Sequence, residues 1–582
     1  VSTATTQGRR ARLWRILALL LAFTLVAAAC GGDDDDASGG SDTPGSTDGG
    51  TSDGGESGET DTSDVTTGGT LIVGLEAEQN NWLPGLGTFA NSGTTAARAV
   101  YDSIAARGED GNVYPFLAES IEPNEDLTEW TVTLREGIKF HDGTDLTAEV
   151  MKRIFDEYLR VEGAAGLPAL INEVEEVRVD DELTYTYVLS RGIAPFPDAL
   201  VGPMGWPFSI EACEAAGGRD GDCGERMVGT GPFVFVSWTR DSELRLQRNP
   251  DYWRVDAEGR QLPYLDELIF RPIPDEDARL NAVAAGDTHV GQTLRQSSVR
   301  SARELDGVVS YEAIGNNGGG SIFNTSRPPV DDVRVRKALA YAVKQEDLVK
   351  VLGGEGITPP QTQFFSPDSP WYSTVVEEAW PDYDPDLARE FLDDYINDPD
   401  RSDGKAPGSP VSVEFNCPPD PTLIEISQAY QAFWNDIGVE VTLNQVEQAT
   451  HIGNAVMGEY MINCWRAGGN EDPYITLTSA FTEGVATNFT RYHSDTIYEQ
   501  LEVLRTSTDF DERYAAVETI MLELADQVPQ IWTGGTATAL FVNESVRNID
   551  GWTIPGPDRA PLVRGDGVMD ATVFWAEVWI EQ

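Results

Sequence analysis

The stretch Trp130-Thr131-Val132-Thr133-Leu134-Arg135-Glu136-Gly137-Ile138-Lys139-Phe140-His141-Asp142-Gly143-Thr144-Asp145-Leu146-Thr147-Ala148 changes character twice. Trp130, Val132 and Leu134 alternate with threonines, the period-two pattern of a strand with one buried face. Gly137 ends that strand, and Asp142-Gly143 supplies a turn. Thr147 then stands as the N-cap of a helix that carries Val150, Ile154, Phe155 and Tyr158 on one face. Strand, turn and amphipathic helix in immediate succession are the building unit of an α/β lobe.

The same alternation continues on both sides. Thr70–Leu75 is a short apolar strand that breaks into the polar loop Glu76–Trp82. Val335, Leu339, Ala342 and Val343 mark a second helix. Asp384-Pro385 opens a third as N-cap and first helical residue, with Leu387, Ala388, Phe391, Leu392 and Tyr395 as its apolar stripe. Tyr514, Val517, Ile520, Met521 and Leu524 mark a fourth, and Val411–Phe415 and Tyr460–Asn463 read as strands. With 582 residues, 40% of them hydrophobic, the chain exceeds what one core holds. Mixed elements on this scale predict an α/β fold of several lobes, and no internal repeat of 20–50 residues is visible.

The formal net charge is −56. Only four arginines precede Cys30, and eleven Asp or Glu lie between Cys30 and Gly68, so the remaining body carries about −49. Phosphates would be repelled over most of such a surface, which excludes nonspecific nucleic-acid binding and speaks to solubility rather than fold. Basic residues at 9–15, the uncharged apolar run Ile16–Ala29 and the small residues before Cys30 describe an export signal. The run is shorter than the ~20 residues a spanning helix needs. Val26-Ala27-Ala28-Ala29-Cys30-Gly31 resembles the lipobox of bacterial lipoproteins, which implies cleavage before Cys30 and a lipid on its thiol. Residues 30–68, rich in Gly, Ser, Thr and Asp, then read as an acidic tether.

Export permits disulfides, and the four remaining cysteines allow three pairings. Cys213 and Cys223 flank a Gly/Asp-rich stretch suited to closing a loop, and Cys417 and Cys464 each end a strand-like run, so 213–223 and 417–464 are expected. The four histidines are scattered and no C-x-x-C occurs, so neither metal nor cofactor is expected.

Trp130–Ala148 resembles the signature of the peptide/nickel class of ABC-transporter solute-binding proteins, the family 5 class that holds the oligopeptide- and dipeptide-binding proteins. Further matches follow in family order: Gly229-Thr230-Gly231-Pro232-Phe233, Arg248-Asn249-Pro250-Asp251-Tyr252-Trp253, Phe323-Asn324-Thr325 with Val333–Leu339, Tyr383-Asp384-Pro385, Asp472-Pro473 and Asn488-Phe489. The resemblance implies a type II periplasmic-binding-protein fold with three lobes and a hinge between lobes I and III. Lobe I is expected from residues 69–104, 229–314 and 538–582, lobe II from 105–228 and lobe III from 315–537, after a signal peptide over 1–29. It further implies a monomer, anchored outside the cytoplasm, on the outer face of the cell membrane or in a periplasm. Such a protein captures a peptide-like or other small solute and delivers it to an ABC permease.

Binding without chemistry needs aromatics and a few oriented polar groups at cleft loops. Trp465, Trp82, Arg466, Glu471, Asp472, Tyr474, Asn488, Trp371 and Tyr372 are the candidates. In peptide-binding members of the family an aspartate four residues before the Asp-Pro proline pairs with the ligand's amino group; here that position is Gly469. His141-Asp142 invites a catalytic reading, but neighbours in a strand point to opposite faces. Gly315–Ser321 lacks the Lys-Ser/Thr of a phosphate loop and reads as a hinge or cleft edge. No nucleophile elbow or metalloprotease motif supports a hydrolase, and the different-class alternative is a sensor or chaperone lipoprotein without an importer.

Overall fold

In the computed structural model the run at Trp130 is a strand, Glu129–Leu134, with Trp130, Val132 and Leu134 buried, and the helix after it spans Ala148–Leu159. Thr147 Oγ1 accepts the Val150 amide at 3.4 Å, and Val150, Ile154, Phe155 and Tyr158 are buried together. The structure describes residues 65–582 except 88, 90, 160–168, 220, 294, 316–318, 420, 466–471, 486, 533, 535, 558–560, 565–572 and 582. The signal, Cys30, the tether up to residue 64, Arg466, Gly469 and Glu471 lie outside the described residues.

Three sheets organise the chain. The first has seven strands in the spatial order Val308–Gly315, Thr536–Asn543, Val290–Thr293, Thr70–Leu75, Glu267–Pro272, Glu243–Arg248, Phe233–Thr239. Thr70–Leu75 lies at its centre, parallel to both neighbours, with Val73 opposite Phe270 and Val290. This is lobe I, and its discontinuity in sequence follows from that strand order. Lobe II is an antiparallel sheet of Ala118–Pro123, Glu129–Leu134, Thr184–Leu189 and Val174–Val179. Lobe III orders Glu440–Gln445, Ser412–Cys417, Ile462–Trp465, Gly320–Phe323 and Gln530–Trp532, the first three mutually parallel. This mixed three-lobed architecture is the type II periplasmic-binding-protein fold.

The chain passes between lobes I and III twice, and the strands flanking the two passages are paired on both sides. Val308–Gly315 pairs antiparallel with Thr536–Asn543, ending at Gly315 opposite Thr536, and Gly320 then faces Trp532 in lobe III. Gly320 has to be glycine, because a Cβ there would sit 1.9 Å from the Ile531 carbonyl oxygen. Gly320 and Ser321, read from sequence as part of a loop, begin a lobe III strand; residues 316–318 between them and Gly315 are not described.

Helix starts follow the capping chemistry. Asp384 accepts the amides of Asp386 and Leu387, and Ala388, Leu392 and Tyr395 are buried along the stripe. Phe391 stacks on Tyr341 at 5.8 Å, joining this helix to Val333–Tyr341. Cys213 and Cys223 are bonded, with Cα atoms 4.7 Å apart, and close a loop beside the helix Ile210–Ala215. Cys417 and Cys464 are bonded across neighbouring parallel strands of lobe III, with Cα atoms 5.3 Å apart.

Candidate functional site

Three of the sequence motifs converge on one structural knot between lobes I and II. Gly229 and Gly231 press against Val100, whose carbonyl oxygen would lie 2.2 and 2.6 Å from a Cβ at the two positions. The Gly231 carbonyl accepts from His141 Nε2 at 2.9 Å and from Asn249 Nδ2 at 3.1 Å. Tyr252 and Trp253 both donate to the buried carboxyl of Asp102, at 3.1 and 2.8 Å. His141 therefore has a structural partner, and burial holds its pKa down, at about 4. Asp142 points elsewhere and accepts from Thr144 and Ser209. The two side chains form no acid–base dyad.

In open α/β sheets, ligands lie beyond the carboxyl ends of the strands. In lobe III those ends are Cys417, Gln445 and Trp465. Trp465 is half-buried; its indole lies 4.3 Å from the Phe489 ring and stacks on His451 at 5.8 Å. His451 is held by its Nε2, 3.0 Å from the Cys464 carbonyl. The indole is thus fixed in orientation while keeping part of its surface open.

The other candidates have different surroundings. Trp82 is only 2% exposed and packs edge-on against Trp238 at 5.5 Å, in lobe I. Asp472 caps the helix Pro473–Phe481 by accepting the Tyr474 amide, and both its oxygens lie 2.6 Å from Arg513. Burial raises its pKa, Arg513 opposes that shift, and the nearby Asp198 adds to it. Tyr474 is buried on the same helix. The Asn488 amide donates to the Tyr492 carbonyl and accepts from Thr490, which ties up its own loop. Trp371 packs on Phe510 at 4.9 Å with the Arg513 guanidinium 5.3 Å from its ring, and Tyr372 receives the Tyr514 hydroxyl on its carbonyl. Arg513 therefore brings Asp472 and Trp371 together.

Residues 112–488 match the profile described as bacterial extracellular solute-binding proteins, family 5 Middle. The chain belongs to this family. Among relatives, the di/tripeptide-binding protein 2 of Pseudomonas aeruginosa is 26% identical over 515 residues, covering 83% of this chain and 92% of that protein. Among solved structures, HbpA2 from Haemophilus parasuis superposes with a TM-score of 0.74 at 20% identity, covering 88% of this chain and all of that one. NikA from Brucella suis, in complex with Fe(III)-EDTA, gives 0.72 at 19% identity with the same coverage.

This solute-binding protein also contains a set of contacts that sequence reading missed. Asp198, on a turn of lobe II, is ion-paired with Arg107 and accepts the Asp472 backbone N–H of lobe III at 3.0 Å. Nearby, the Ala194 amide donates to the Arg505 carbonyl at 2.6 Å, and the Arg505 guanidinium donates to the Gly192 carbonyl. Lobes II and III thus meet through partly buried hydrogen bonds, those of the Asp198 carboxylate and the Arg505 guanidinium being charge-assisted. Their partners are separated by 274 and 313 residues, so no local pattern announces them.

Proposed function

We propose that this protein captures a short peptide between lobes I and III and hands it to an ABC permease. The observation that carries the reading is the strand pairing on both sides of the two crossings, Val308–Gly315 with Thr536–Asn543 in lobe I and Gly320–Phe323 with Gln530–Trp532 in lobe III. Two neighbouring strands can bend together as a hinge, which lets two rigid sheets close over a solute. The peptide assignment is supported by the di/tripeptide-binding relative, which aligns along most of both chains. Trp465 is the residue we assign to ligand stacking, because its ring is oriented by His451 and Phe489 at the carboxyl edge of lobe III. The contacts of Asp198 and Arg505 would then hold lobe III against lobe II in the closed state.

The same reading places the protein outside the cytoplasm on a lipid attached to Cys30, the ligand leaving chemically unaltered. Mass spectrometry of solute released from gently purified protein, followed by calorimetric titration with di- and tripeptides, tests the assignment. Expected is a co-purified peptide and saturable binding with no cleavage products. Peptide turnover, or a closed cleft that binds no peptide, overturns it. A metal chelate or uncharged solute is the second reading. It is favoured by Gly469 where peptide-binding members of the family carry an aspartate, and by the engagement of Asp472 with Arg513.

A further inference from the structure

Lobe III carries a row of asparagines just below the carboxyl ends of its three parallel strands. Asn416 lies opposite Asn444 on one side and Asn463 on the other, and the Asn444 amide donates to Asn416 Oδ1 at 3.0 Å. Asn463 is fully buried, at 0% exposure, and neither its Oδ1 nor its Nδ2 has a hydrogen-bond partner. Side chains two apart on a strand share a face, so Asn463 lies on the same side of the sheet as Trp465. On that side His451, stacked on Trp465, presents a second unsatisfied atom, its buried Nδ1. With Nε2 donating to the Cys464 carbonyl, Nδ1 is the unprotonated nitrogen and accepts.

Buried polar groups left bare are costly and rare, and an amide with both ends bare is an exception that calls for an occupant. Asn463 needs a donor for its oxygen and an acceptor for its nitrogen, while His451 needs a donor. A bare metal cation supplies no acceptor and a fully deprotonated anion no donor, whereas a neutral group such as water, a hydroxyl or an amide does both without burying a charge.

We propose that Asn463, with His451 flanking the same indole, forms a buried hydrogen-bonding station for such a neutral polar group behind Trp465. The group comes either from ordered water or from a captured solute. Only the second source rests on the capture reading above.

A crystal structure of the wild-type, solute-free protein tests the station without a variant and independently of any peptide. Expected is ordered density about 2.7–3.2 Å from Asn463 Oδ1 or Nδ2. A second structure with bound Ala-Ala-Ala, and fluorescence titrations of the wild type and Asn463→Leu with that tripeptide, identify the source. Density replaced by a peptide amide, with affinity at least about tenfold weaker in Asn463→Leu, assigns the station to the solute. Density that persists as water, with affinity unchanged, assigns it to solvent. A dry Asn463 amide in both crystals overturns the proposal, whether or not the peptide binds.

Discussion

At the residue scale, burial decides what a titratable group does. Asp102 is 1% exposed, and desolvation lifts its pKa to about 7 against the pull of the Trp253, Tyr252 and Arg254 partners. A carboxyl whose folded pKa is raised contributes stability that is fully present below its unfolded value of 3.8 and is lost as pH rises through about 7. Asp102→Asn keeps an acceptor for Tyr252 and Trp253 but cannot ionise. The wild type is therefore expected to lose up to roughly 4 kcal/mol between pH 4 and pH 8 from this group, and Asp102→Asn to lose that slope, by urea unfolding at each pH. Equal slopes in both proteins would place the proton elsewhere. His141 runs the other way: its folded pKa is depressed, so its contribution is present above 6.5 and lost as pH falls through about 4. Trp465→Ala removes an aromatic that is half-buried against Phe489. We expect solute affinity to fall at least tenfold with a stability loss of about 1–2 kcal/mol, well short of the 3–5 of a fully buried tryptophan. A loss of stability without a loss of affinity would make it a packing residue.

At the scale of elements, local pattern was a good guide where local physics decides the outcome. Thr70–Leu75 has the same bounds in sequence and structure, and Asp384-Pro385 caps its helix as the residues suggest. Asp384→Ala should cost about 1 kcal/mol in equilibrium unfolding, the usual value of an N-cap. Legibility ends where contacts are distant in sequence. Trp82 looks like a lone aromatic in a polar loop, yet Trp238 covers it from another strand of lobe I. Asp472 looks like a ligand charge until Arg513, 41 residues on, accounts for it. The lobe II–III contacts belong to the same class. Asp198→Ala removes the acceptor of the Asp472 amide, one charge-assisted bond across the interface. Solute affinity should drop roughly tenfold, about 1.4 kcal/mol, with a larger radius of gyration in small-angle scattering of the solute-bound protein. An unchanged radius and affinity would show that these contacts do not hold the lobes together.

At the scale of the whole molecule, charge is the dominant long-range term. With 97 acidic and 41 basic side chains, one-to-one pairing of every Lys and Arg still leaves 56 carboxylates over. The basic groups are largely spent: Arg153 bridges Glu211 and Glu214, Arg245 bridges Glu243 and Glu267, and Arg334 bridges Asp332 and Asp398. Added salt screens two opposing sets of interactions. It weakens these partly exposed pairs, each worth about 0–1 kcal/mol. It also weakens the repulsion among the unpaired carboxylates, which grows with every pair of like charges within a Debye length, about 10 Å at 0.1 M and 3 Å at 1 M. Buried pairs such as Arg254–Glu577, with side chains 4% and 11% exposed, are screened much less. Repulsion should therefore win. The melting temperature is expected to rise by several degrees between low salt and about 0.5 M NaCl and then level off, with KCl giving the same curve. A melting temperature that falls with NaCl would mean that the surface pairs, and not the surplus of carboxylates, govern the stability of the fold.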